Sequence, residues 1–125
     1  MTNNFQTPVD FNDKVVIDNV VIEYHDLHEI SQGGPVVGSL SINKEIIGDS
    51  LFGGPFLIHD NSIYIPAYVK KFIGWHFRLM KINMSNFDRT FIGNTKNLIF
   101  LNRVESNYIY YFEDISKIKQ GFIEL

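Results

Sequence analysis

Phe56-Leu57-Ile58-His59-Asp60-Asn61-Ser62-Ile63-Tyr64-Ile65 is the stretch that decides the fold. Two apolar-rich runs flank Asp-Asn, a dipeptide that tolerates the positive φ a two-residue hairpin turn demands. The same grammar recurs upstream. Lys14-Val15-Val16-Ile17 turns at Asp18-Asn19 into Val20-Val21-Ile22-Glu23-Tyr24, and Val37 to Ile42 turns at Asn43-Lys44 into Glu45-Ile46-Ile47. Short runs between regular turn signals are the pattern of an all-β chain.

Downstream the pattern predicts strands at 73–83, 97–104, 107–113 and 121–125. In 73–83, Trp75, Phe77 and Leu79 lie on one face and Met80 and Ile82 on the other. A bulge or a crossing between sheets is expected there. Leu98 to Leu101 is apolar on both faces, as in a central strand. Residues 115–120 can form one helical turn. Gly-Gly-Pro at 33–35 and at 53–55 reads as a strand-entry loop in both places.

Residue usage agrees. The chain has 17 Ile, 9 Val and 11 Phe but one Ala, at position 67. β-Branched and aromatic residues suit a pleated sheet, and the best helix former is nearly missing. The expected fold is all-β: an antiparallel two-layer sandwich or open barrel of hairpins, with at most one short helix. A length of 125 residues suits one domain over 1–125, with 1–12 as a flexible arm. The expected core is Ile17, Ile22, Leu40, Ile42, Leu57, Ile63, Ile65, Trp75, Phe77, Leu79, Leu98, Phe100 and Ile109.

No cysteine is present, which excludes disulfides and thiolate metal sites. The N-terminus lacks a basic segment followed by an apolar one, and no apolar run reaches the roughly 18 residues of a membrane helix. The expectation is a cytoplasmic protein without membrane contact.

Motifs for chemistry are thin. His25-Asp26-Leu27-His28-Glu29 is the densest group of metal-capable side chains. On a strand, however, i and i+3 point to opposite faces, so a solvated polar loop is expected rather than a metal site. No serine lies in a nucleophile elbow. The Gly-Gly-Pro turns lead to strands, and proline removes a donor that a phosphate cradle would use. The chain is therefore read as a non-enzyme without cofactor.

Charge is lopsided. Residues 1–60 carry nine acids and two bases, a balance of −7; residues 61–125 carry five acids and nine bases, +4. Such a split points to an acidic face turned toward a cationic partner, unless the two halves interleave in one sheet and their charges mix. Glu23, Asp26, Glu29, Asp49 and Asp60 are the candidate contact acids. Tyr64 and Tyr68 share a strand face opposite Ile63 and Ile65. If the isoleucines face the core, these tyrosines face out as anchors; otherwise they pack a second layer. Lys70, Lys71, Arg78, Lys81, Arg89 and Arg103 lie near aromatics, but the acidic balance disfavours nucleic acid.

The overall profile is small, acidic, all-β and cysteine-free, with the A/T-rich codon residues Ile, Asn and Lys abundant. It resembles the immunity proteins of interbacterial toxin systems, and the resemblance covers the whole chain without a specific motif. It implies a protein partner, a cationic toxin domain, and no catalysis. The alternative reading is a small-ligand or carbohydrate-binding β-sandwich that stacks ligand on Tyr64, Trp75 and Tyr108.

Overall fold

The computed structural model describes residues 6–71 and 73–125. It is all-β, with twelve antiparallel strands in two sheets and no helix among the described residues. The strands are β1 (Lys14–Ile17), β2 (Val20–Glu29), β3 (Val36–Ile42), β4 (Glu45–Ile46), β5 (Leu51–Phe52) and β6 (Leu57–His59). They continue as β7 (Ser62–Lys70), β8 (Trp75–Asn83), β9 (Arg89–Lys96), β10 (Phe100–Glu105), β11 (Tyr108–Phe112) and β12 (Gln120–Glu124).

Four tight turns build the hairpins. Asp18-Asn19, Asn43-Lys44, Asp60-Asn61 and Ser106-Asn107 each hold positive φ at both residues. That is the turn whose twist matches the flanking strands. The first three fall where the sequence places them. The fourth joins β10 to β11 and takes in Asn107, which the strand pattern assigned to a strand.

The larger sheet runs β1-β2-β3-β5-β7-β8-β9, with β4 beside β3 and β6 beside β7. One pair alone, Gly38↔Phe52, joins β3 to β5. The sheet bends there into two limbs, β1–β4 and β5–β9. One core lies between the limbs: Ile22, Tyr24, Leu40 and Ile42 meet Ile63, Ile65, Met80 and Ile82. The barrel this bend begins is not closed. At this joint Gly38 also lets the β2 bulge approach β3 closely, because a Cβ there would strike the His25 carbonyl and the Leu27 side chain.

The smaller sheet, β10-β11-β12, covers the other face of the second limb. A second core forms between them from Tyr64, Phe77 and Leu79 against Leu98, Ile99, Leu101, Ile109 and Tyr111. β7 and β8 thus form a middle layer buried on both faces. This accounts for the two-faced apolar pattern of 73–83 without a break in that strand. β8 pairs β7 continuously from Lys70↔Trp75 to Ser62↔Asn83. The irregularity lies in β9, between Phe77↔Lys96 and Leu79↔Ile92, where Gly93 takes φ 74°.

Several expectations are corrected. Leu98 to Leu101 is buried, but β10 is an edge strand; the second core covers Leu98, Ile99 and Leu101. Residues 115–120 form no helical turn. The Asp114 carboxylate accepts from the Ile118 and Lys119 amides and holds the loop that leads to β12. Ile17 and Trp75 are 38% and 49% exposed, since one ends an edge strand and the other borders a hairpin tip. Residues 6–12 are docked rather than an arm. Phe11 packs on Tyr24 at 4.8 Å, and the Pro8 carbonyl accepts the Val36 amide. Residues 1–5 of that arm lie outside the described residues.

Candidate functional site

Strand order in the larger sheet follows chain order, so residues 1–60 build the whole first limb, β1–β4, and β5 and β6 of the second, where they pair with β7. On the outer face of β1–β4, opposite the core, lie Lys14 and Val16, Val21 and Glu23, Ser41, and Ile46. The pairs Lys14↔Glu23, Val16↔Val21, Glu23↔Ser41 and Ser41↔Ile46 set this arrangement. Val16 and Ile46 are 60% and 55% exposed. Asp13, Asp18, Asp26 and Glu45 are exposed around them. Among the described residues, no lysine or arginine forms an ion pair with any acid of residues 1–60.

The expected contact residues do not form one cluster. Glu23, Asp26 and Glu29 lie on β2. Asp26 sits at the β2 bulge with φ 55°. The Glu29 carboxylate accepts the Gly33 amide at 2.8 Å and shapes the loop into β3. Asp49 lies in a crease with Arg89, whose guanidinium rests against Gly48. Asp60 belongs to the β6–β7 turn, 3.2 Å from the His59 ring.

The tyrosine expectation is corrected. Tyr64 is 2% exposed and faces the second core, because the smaller sheet covers what a two-layer reading leaves open. Tyr68 is half-buried, stacked on Trp75 at 5.1 Å and packed against Phe77 at 4.9 Å. Both tyrosines pack a second layer.

The two histidines of the 25–29 segment serve local structure. His25 Nε2 shares a hydrogen bond of 2.7 Å with Ser41 Oγ, and His28 Nδ1 lies 3.0 Å from the Asp26 carbonyl. Among the described residues, no group of three or more His, Asp or Glu side chains converges as metal ligands would.

One exposed surface escaped the sequence reading. β11 turns Ile109 and Tyr111 inward and Tyr108, Tyr110 and Phe112 outward. Phe122 on β12 joins them, 63% exposed and 5.6 Å from Tyr108. The Arg103 guanidinium lies 4.2 Å over the Tyr110 ring and is held by Glu105 at 2.9 Å. The alternation of Tyr108, Tyr110 and Phe112 was visible in the sequence. Which face was covered was not, because both are aromatic or apolar. The three residues of the ligand-stacking alternative do not converge: Tyr64 is in the core, Trp75 borders the β7–β8 turn and Tyr108 is on this outer face.

A groove of about 430 Å³ separates the edge of β1 from the edge of β6. It is the open seam of the bent sheet. No protein-family model, curated protein or solved structure matches this chain.

Proposed function

We propose that this chain is a non-catalytic protein-binding module that docks a basic partner on its acidic limb, acting as an immunity protein that occludes a toxin domain. The observation that carries the reading is the strand order, which places Asp13, Asp18, Glu23, Asp26, Glu29 and Glu45 on or beside β1–β4, where among the described residues none pairs with a lysine or arginine. Unneutralised acids on one limb hold a negative field that speeds encounter with a cation-rich surface. Val16 and Val21, and Ile46 on the far side of Glu23 and Ser41, supply exposed or half-buried apolar points among polar neighbours on this face.

The test is co-expression with the product of the adjacent reading frame, then purification of the pair. A stable complex that is lost with Asp13→Lys plus Glu45→Lys supports the reading. A complex indifferent to those reversals overturns it. Neither side chain makes a hydrogen bond among the described residues, so the variants should fold.

The Arg103–Tyr110–Phe122 surface favours a second reading, a platform for a small ring-bearing ligand. Calorimetry against soluble oligosaccharides, with Phe122→Ala as control, separates the two.

A further inference from the structure

We infer that the groove between β1 and β6 takes an extended, lysine-bearing segment of the partner as an added β-strand. The inference rests on the acidic-limb reading and gives its mode of binding.

Hydrogen-bond phase comes first. Ile17 and Val20 flank a two-residue turn and so exchange hydrogen bonds, and the pattern then alternates along the pair. The Tyr24 amide donates to the Asp13 carbonyl, in keeping with that phase. Asp13, Val15 and Ile17 therefore bond to β2, while Lys14 and Val16 turn their N–H and C=O groups away from it, toward the groove. The same logic applies to β6. His59 and Ser62 flank the Asp60-Asn61 turn, so Ile58 turns its backbone groups away from β7. Among the described residues, these outward groups of Lys14, Val16 and Ile58 make no hydrogen bond.

Two strand edges thus face one groove, walled by Val15, Val16 and Ile17 on one side and Phe56, Leu57 and Ile58 on the other. Its volume lies within the roughly 300–1,000 Å³ of ligand clefts. An extended peptide answers such edges, since its main chain supplies the missing partners and alternate side chains reach the apolar walls.

Charge decides between occupants. Asp13 and Asp18 flank β1 just outside the groove's lining, and among the described residues Lys14 is the one charged side chain that lines it. A second copy of this chain would bring two −7 segments together. A segment with lysines beside its apolar residues meets opposite charge at both ends.

The probe is a capped Lys-Val-Lys-Val-Lys-Val hexapeptide added to the full chain, with amide hydrogen exchange followed by NMR. The peptide should slow exchange at Lys14, Val16 and Ile58. Val16→Pro removes an amide that β2 does not use, and it should weaken binding about tenfold. N-methylation of alternate peptide amides should cost a similar factor and needs no change to the protein. Absent binding, or binding without protection at the three amides, overturns the inference.

Two further outcomes separate it from the reading beneath it. If Asp13→Lys weakens binding while Val16→Pro and N-methylation do not, the acidic limb stands and the added strand falls. If a Thr-Val hexapeptide binds equally well and protects the three amides, the added strand stands and the acidic limb falls.

Discussion

The Tyr24 hydroxyl donates to the Gly53 carbonyl at 2.7 Å, tying β2 of the first limb to the loop that follows β5 in the second. The tie crosses the core between the limbs, where Tyr24 is 5% exposed. Burial pushes its phenol pKa well above the ordinary value of 10.0. Tyr24→Phe leaves the Gly53 carbonyl without this partner, and stability should fall by about 1–2 kcal/mol. Chemical denaturation at neutral pH measures it.

The same residue sets an alkaline limit. Its folded pKa is raised, so the unfolded chain loses the proton first as pH climbs. The stability contribution is complete below the unfolded value of 10.0 and is lost as pH rises from there toward the folded pKa. Denaturation midpoints should therefore drop above that pH in the wild type and drop less in Tyr24→Phe.

Gly38 is where the larger sheet bends. Gly38→Ala places a methyl against the His25 carbonyl, which belongs to the backbone and cannot rotate aside. A loss of about 1–3 kcal/mol is expected from such overpacking. An unchanged thermal midpoint would show that the β2 bulge shifts freely.

The middle layer makes Phe77 and Trp75 unequal although they share a strand face. Phe77 is 2% exposed in the core between the sheets, whereas Trp75 is 49% exposed and stacks on Tyr68. Phe77→Ala should cost about 3–5 kcal/mol and Trp75→Ala about 1. Equal losses in a denaturant titration would contradict the layer assignment.

Much of the fold was legible because hairpin chemistry is local. Asp60-Asn61 states its turn through two residues that tolerate positive φ, and Ile63 and Ile65 state their shared face through a period of two. Tyr64 marks where this stops. Alternation tells which residues share a face, not what covers it, and Tyr64 is covered by strands some 35 residues or more downstream in sequence. Trp75 and Ile17 fit the apolar pattern but lie at a hairpin tip and a strand end, where coverage depends on distant elements. For the candidate site, the −7 and +4 split along the chain was legible, but whether the halves interleave was not, because that depends on strand order. The local ties of Glu29 to Gly33 and of Asp60 to His59 depend on loop and turn geometry that no periodicity encodes.

The most direct test of the acidic-limb account is the association rate of the purified partner at about 50 and 300 mM salt, measured with the wild type and with Asp13→Lys plus Glu45→Lys. Screening shortens the reach of the limb's field as salt rises. The account predicts a wild-type rate that falls about tenfold or more between the two conditions. It predicts a slower and nearly salt-independent rate in the double variant. Slow association in the wild type, indifferent to salt and to both reversals, would contradict it.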